Sequence, residues 1–504
     1  MKKTILLLGM SVLLFLHGCT KPESEKRPGS STFKAATIAS TSAIFTNPLP
    51  SSNNGSYYDP WVINVGGYYY DCGSDGGRIW ITKSTTLENL LQPAKTYIFT
   101  PPAGTPYAGD VWAPELHYFN GRWYVYFAAD LNGDNSTHRM YVLEGGTNAS
   151  DPLDGSYAYK SKLSATTDRW AIDGHPFIYN SQLYFVWSGW EGTSNVSQWL
   201  YIARMSNPYT ISGERVEISR PDYGWEQVGS PTVNEGPTAL ISGNTVNIIY
   251  SASGSWTNDY CLGRISCTNG NLLSKASWTK AATPAFSKFG NIYGPGHASF
   301  VKSPDNLQWW IVYHSANADG SGWDRRVNAQ QFAWSGDVPY FGYPVEKGIP
   351  IPAPSIGPGY AMPVANGTYR IKSKVTSLCV DVPNSAATAG LQLQEWTDNG
   401  TNAQKWVFTA LGDGYYLIKN VATNMNLDNA GGSLNAGNIL IQWPDNGNIA
   451  QHWRVQDMGN GYFKLINRRS LLALDVPNSD PNPGTKLQQW YENPYDAELW
   501  QIIP

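Results

Sequence analysis

Three carboxylates, Asp59, Asp173 and Glu235, each open a stretch of the same build: a polar start, an apolar strand, a turn, then an aromatic-rich strand. The stretches are DPWVINVGGYYYDCGS, DGHPFIYNSQLYFVWSG and EGPTALISGNTVNIIYSAS. Two more share the build, WAPELHYFNGRWYVYFAA from Trp112 and GHASFVKSPDNLQWWIVYHS from Gly296. Asp59, Trp112, Asp173, Glu235 and His297 stand 53, 61, 62 and 62 residues apart. Brought together, three carboxyls suit the hydrolysis of a glycosidic bond. One protonates the leaving oxygen, a second activates water or attacks the anomeric carbon, and a third raises the pKa of the acid. Glu235, with the longer reach, suits the acid. Each position also has a plain reading. Asp59-Pro60 can start a turn, with Pro60 biasing Asp59 toward extended backbone. Asp173-Gly174 can be a hairpin turn, Asn234–Pro237 an exposed loop, His297 a satisfied structural histidine and Trp112 core packing. None of these explains the common place in the repeat.

The elements that must position these residues follow from the repeat. Turn residues sit at Gly66-Gly67, Asn120-Gly121, Asn180-Ser181, Gly243-Asn244 and Pro304-Asp305-Asn306, mostly good hairpin chemistry. A period near sixty residues with several strands per unit predicts a β-propeller with one blade per unit, hence five blades. The first strand of each blade lines the axis, so the five starting residues should converge. Trp112 on the axis can then be a stacking platform.

Composition narrows the partner. Of 504 residues only 15% are charged, with 21 Trp, 31 Tyr, 49 Gly and 33 Pro. Exposed rings suit the apolar C–H faces of neutral sugars. The net charge of −4 and the lack of a basic patch argue against nucleic acid. At the N-terminus, MKKTILLLGMSVLLFLHGC has two lysines before an apolar run of signal-peptide length. It ends in Leu16-His17-Gly18-Cys19, which resembles a bacterial lipobox and implies cleavage before Cys19 and a lipid on its thiol. The membrane enters only through that anchor. The four remaining cysteines, Cys72, Cys261, Cys267 and Cys379, form no CxxC pair, so no zinc site is read. A local bridge between Cys261 and Cys267 stays open.

A second, gapless repeat follows. Asp381, Asp428 and Asp475 are 47 residues apart, as are Trp396, Trp443 and Trp490, and Trp406, Trp453 and Trp500. Three equal all-β units predict a β-trefoil. The tryptophans of QKW, QHW and ELW read as core. Each Asp with the first Trp of its unit reads as a hydrogen-bonding acid and a stacking ring.

At YYDPWV, VWAPELHYFNGRWYVYFAA, WAIDGHPF, VNEGP and YGPGHASF, in that order, the chain resembles glycoside hydrolase family 43, a five-bladed propeller family that inverts anomeric configuration. The resemblance implies Asp59 as general base, Asp173 as the residue tuning the acid's pKa and Glu235 as general acid. It implies that His297 binds a central cation, one structural calcium ion on the axis, and that Arg325 in DRRVNAQQFAW binds substrate, the neighbouring Arg326 leaving the register open. WAPELH, HRMYVLE, YTISGERVEIS and YSASGSWTNDYCLG resemble exo-acting bacterial α-L-arabinofuranosidases. His175-Pro176 departs from the small β-branched residue common in relatives, a change that could alter the sugar pocket. The C-terminal repeat resembles ricin-type lectin domains, carbohydrate-binding module family 13. There Asp381 with Trp396, Asp428 with Trp443, and Asp475 with Trp490 would each hold a sugar. It departs from the pattern at Ala403, Ala450 and Ala497, where an amide is usual, and at Glu498, which replaces the glutamine of the other two units.

The expected organisation is a leader over 1–18, a tether over 19–44, a propeller over 45–350, a linker over 351–366 and a trefoil over 367–504. The expected protein is an all-β, monomeric, lipid-anchored hydrolase of the bacterial cell envelope. It releases terminal arabinofuranose from plant cell-wall polysaccharide and uses no organic cofactor. The alternatives are a β-D-xylosidase of the same fold and a non-catalytic surface glycan-binding protein.

Overall fold

The computed structural model describes residues 44–52, 55–355, 362–411 and 414–504. The leader, Cys19 and all but the last tether residue lie outside them. The described residues belong to one compact unit, Ser40–Pro504. Among them the helices are single 3-10 turns of three residues, so the fold is nearly all β.

Local turn chemistry sets the first hairpin of each unit. Val65 faces Tyr68, Phe119 faces Arg122, Tyr179 faces Gln182 and Ser242 faces Thr245, so four of the expected turns are two-residue loops. Both residues of Gly66-Gly67, Asn120-Gly121 and Asn180-Ser181 have positive φ, as the twist-matched hairpin turn demands. Two more antiparallel strands extend each hairpin into a four-strand meander. Among the described residues the meanders run from Trp61–Val65 to Thr96–Phe99, Gly109–Phe119 to Ala158–Leu163, Ala171–Tyr179 to Thr210–Ser219, Thr232–Ser242 to Trp278–Lys280, and Tyr293–Lys302 to Val338–Tyr340. The third and fourth share a sheet through parallel pairs of Ser197 with Thr232 and Gln198 with Val233.

Alternating strand residues bury both faces of the meanders, and apolar clusters fill the space between neighbours. One cluster joins Trp61 and Tyr70 of the first meander to Leu116 and Phe127 of the second. Another joins Val62 and Trp80 of the first to Val301 and Trp310 of the last, which closes the ring. The segment before Trp61 clasps that closure. Asn47 exchanges hydrogen bonds with Ala329, and the amides of Leu49 and Tyr57 donate to the carbonyls of Val327 and Arg325.

The first strands break their ladders in the same way. Register shifts fall at Trp112/Glu115, Ile172/His175, Glu235/Thr238 and Gly296/Ser299. Asp59, Ala113, Asp173, Gly236 and His297 carry φ of 48°, 42°, 54°, 54° and 42°. This corrects two expectations. Asp59 is left-handed rather than extended, because its tertiary contacts outweigh the bias from Pro60. The equivalent residues of the second and fourth units are Ala113 and Gly236, so Trp112 and Glu235 each stand one residue earlier. A left-handed non-glycine residue costs about 1–3 kcal/mol and persists only where its surroundings fix it.

Ile351 and Pro352, assigned to the linker from sequence, pair as a strand with Phe45 and Ile44. Cys261 and Cys267 are free thiols at the two ends of one strand. Six extended steps separate them by about 20 Å, which rules out a local bridge.

Beyond residue 362 the strands form one twelve-stranded closed sheet. Trp406, Trp453 and Trp500 are fully buried, and their indole nitrogens donate to the carbonyls of Val380, Leu427 and Leu474, again 47 residues apart. Truncating any one to alanine would cost about 3–5 kcal/mol. Glu498 is buried in place of the glutamine because the Lys464 ammonium, equally buried, lies 2.9 Å from it. The trefoil docks on the last meander. Gln331 bonds Tyr415 and Arg454, Gln456 bonds the Pro350 carbonyl, and the Tyr491 ring packs on Phe289 and Tyr343.

Candidate active site

The left-handed turn at Asp59 places its carboxylate against the fifth meander. Asp59 Oδ1 lies 3.1 Å from His297 Nδ1, 3.3 Å from His314 Nδ1 and 3.8 Å from an Arg325 nitrogen. Its backbone N–H donates to His314 Nδ1 at 3.1 Å. Burial works against the Asp59 charge. The pull of His297, His314 and Arg325 outweighs it and holds the carboxyl well below the usual carboxylate range. Burial pushes His297 down and His314 down to about 3, so at neutral pH the lasting positive charge facing Asp59 is Arg325.

The other two carboxyls behave oppositely. Asp173 Oδ2 accepts the Gly236 N–H at 3.0 Å and lies 4.0 Å from His297 Nδ1. Burial, then the nearby charges of Glu235 and Asp59, raise it well above the carboxylate range. Glu235 Oε1 accepts the Tyr260 hydroxyl at 2.8 Å. Burial raises Glu235 to about 7; Asp59 adds to this, and Tyr260 and Arg325 oppose it. One site thus holds an anionic carboxylate and carboxyls driven to keep a proton, the division that acid–base hydrolysis needs.

The structure therefore brings Asp59, Asp173, Glu235, His297 and Arg325 together. It resolves the arginine register, since Arg326 pairs with Asp324 at 2.5 Å. Trp112 instead stacks on His138 at 4.0 Å and packs partly buried against the core. Sequence reasoning missed His314 and Tyr260. His314 sits on a second strand and Tyr260 in the loop after Ala252, places where the repeat gives no signal.

Two residues deeper than Asp173, His175 Nδ1 meets Glu115 Oε2 at 2.9 Å, and His117 Nε2 meets the same oxygen at 2.9 Å. His175 thus turns to an interior carboxylate. Among the described residues, these three form the one group of metal-type ligands. Two nitrogens and one oxygen suit a transition ion, whereas calcium takes six to eight oxygens. His297 is outside the group and turns Nδ1 to Asp59.

In the trefoil, Trp396, Trp443 and Trp490 are 39–41% exposed beside the buried Asp381, Asp428 and Asp475. Each acid accepts an amide, from Gln394, Gln451 and Gln488 respectively. Ala403, Ala450 and Ala497 are buried and bring no amide of their own.

Residues 45–339 match the model of Glycosyl hydrolases family 43. The chain belongs to this family. Residues 360–443 and 403–490 match the ricin-type beta-trefoil lectin domain-like family. An extracellular exo-alpha-(1->5)-L-arabinofuranosidase of Streptomyces avermitilis is 38% identical over 328 residues, 62% of this chain and 66% of that protein. Alpha-L-arabinofuranosidase 43 of Humicola insolens is 34% identical over 337 residues, 63% of this chain and 69% of its own. The family 43 chain thus spans about two thirds of the length of these relatives. The crystal structure of an alpha-L-arabinofuranosidase from Lactobacillus brevis is 30% identical, with a TM-score of 0.55 over 60% of this chain and 98% of that one.

Proposed function

We propose that this family 43 protein releases terminal α-L-arabinofuranose from arabinan or arabinose-substituted plant polysaccharide, with inversion at the anomeric carbon. Asp59, anionic beside Arg325, takes a proton from water. The water oxygen bonds to the anomeric carbon as the glycosidic C–O bond breaks on the opposite face. Glu235 delivers its proton to the departing oxygen. Asp173, itself raised by burial and by the Glu235 charge, packs beside the acid and disfavours a second negative charge there. The observation that carries this reading is the division within one site between a carboxyl held low, Asp59, and one raised to about 7, Glu235. The named relatives support arabinose as the sugar and a secreted location. The trefoil holds the polymer through Asp381 with Trp396, Asp428 with Trp443, and Asp475 with Trp490. Lipid on Cys19 ties the monomeric enzyme to the cell envelope.

The test is release from an aryl α-L-arabinofuranoside against an aryl β-D-xyloside, side by side, with NMR of the first-formed anomer. Preference for the arabinoside and the opposite anomer are expected. Faster xyloside cleavage, or retention, overturns the reading. Glu235→Gln should cut hydrolysis by about 10²–10⁴-fold on natural glycosides.

A further inference from the structure

Among the described residues, five tryptophans are more than a third exposed. Three belong to the trefoil acid–tryptophan pairs. The other two are Trp256 at 36% and Trp323 at 58%, and both loops that carry them meet at Ser255, whose carbonyl accepts from Arg325. Exposing two indoles side by side forgoes the burial that normally favours tryptophan.

Their setting is built. The ring centroids are 6.1 Å apart, with the planes at 73°. The Trp256 indole lies over backbone at Gly254, where a Cβ would stand 2.7 Å from the ring, and over Gly229, where it would stand 3.1 Å away. A side chain at Gly254 would displace the ring. Trp323 Nε1 donates to the Ser255 hydroxyl at 3.2 Å. The two loops that carry the rings are pinned together, since Asn258 bonds the Asp319 carboxylate and the Gly320 amide. The wall is also tied to the reacting groups. Arg325, 3.8 Å from Asp59, donates to the Ser255 carbonyl at 2.7 Å. Tyr260, which bonds Glu235, ends the loop that carries Trp256.

We propose that Trp256 and Trp323 form a stacking subsite for the sugar ring on the leaving-group side of the cleaved bond. The loop that holds the proton donor Glu235 through Tyr260 also presents Trp256, so the wall lies where the departing oxygen and its sugar must sit. Two perpendicular indoles offer one flat face and one edge to the C–H face of a neutral ring, without a charge to select an acidic one. The inference rests on the proposed arabinofuranosidase reading.

The test compares an α-(1→5)-linked arabino-oligosaccharide with α-L-arabinofuranosyl fluoride, whose leaving group has no ring. In Trp256→Ala and Trp323→Ala, the ratio of kcat/KM for the oligosaccharide to that for the fluoride should fall about tenfold, the size of one lost ring contact. Trp323→Phe should restore most of the ratio because it keeps a ring. An unchanged ratio, with both substrates slowed alike or neither slowed, overturns the subsite. A wild-type protein that cleaves neither substrate overturns the proposed activity and the subsite with it, whereas cleavage of both with an unaltered ratio overturns the subsite alone.

Discussion

His297 Nδ1 lies 3.1 Å from the carboxylate of Asp59 and 4.0 Å from that of Asp173. One imidazole thus faces both acids but serves the first. Its backbone is left-handed, and its N–H donates to Ser251 Oγ at 2.7 Å, so the ring is placed from behind.

Asp59 acts as a base only while ionised, and activity should therefore rise as pH climbs through its pKa. His297 lowers that pKa. Removing the imidazole in His297→Ala takes away one of the pulls that oppose burial and raises it, with His314 and Arg325 still lowering it. The acid limb of the kcat/KM profile should move to higher pH, and kcat should drop by about 10–100-fold as the strained Asp59 turn relaxes. A pH–rate profile over pH 3–8 measures both: the wild type should hold its activity toward pH 3, and a variant whose activity falls no sooner on the acid side would sink the assignment.

Glu235 must hold a proton to act as the acid. Burial raises it to about 7, so activity should fall as pH rises through about 7. The Tyr260 hydroxyl stabilises the charged form and lowers the value. Tyr260→Phe removes that bond, raises the Glu235 pKa and should carry the basic limb upward. A downward shift would mean that Tyr260 acts through something other than this hydrogen bond.

How far the sequence foretold this can be followed residue by residue. Gly66-Gly67 and Asn120-Gly121 declared their hairpins because positive φ is local chemistry. The 47-residue step of Trp406, Trp453 and Trp500 was legible because no insertion blurs it. Asp59 was misread locally, since Pro60 argues for an extended backbone and only His297, His314 and Arg325, over 230 residues away, argue otherwise. Loops of unequal length blurred the larger repeat by one residue at Trp112 and Glu235. The meeting of His175 with Glu115 joins two different strands, and no spacing within either one announces it.

The trefoil tryptophans should decide polymer binding. Trp396→Ala, Trp443→Ala and Trp490→Ala each remove one exposed ring from a separate lobe, so avidity predicts that single changes weaken adsorption to arabinan modestly and the triple change abolishes it. Hydrolysis of insoluble polymer should fall far more than that of a small aryl glycoside. Pull-down on insoluble arabinan and parallel rate assays measure the two effects. Full adsorption by the triple variant would remove the trefoil from substrate capture.

Glu395 breaks the threefold pattern at a buried seam. Its counterparts, Gln442 and Gln489, each donate to two carbonyls of a neighbouring lobe, Ala386 and Thr388 for one, Ser433 and Asn435 for the other. The same 47-residue step puts the carbonyls of Asp480 and Asn482 opposite Glu395. A carboxylate cannot donate to them, and its Oε2 is buried without a hydrogen-bond partner. Burial raises Glu395 to about 7, with Thr376 opposing. Because the folded value exceeds the unfolded one, the folded state holds the proton longer. Stability from this group is full below the unfolded pKa and is lost as pH rises through about 7. Glu395→Gln supplies the missing donor at every pH and should stabilise the trefoil by about 1–3 kcal/mol above pH 7, with the gain shrinking as pH falls toward 4. Calorimetry of both proteins at pH 5 and pH 8 checks this; equal gains at both pH values would mean that Glu395 is not the titrating group.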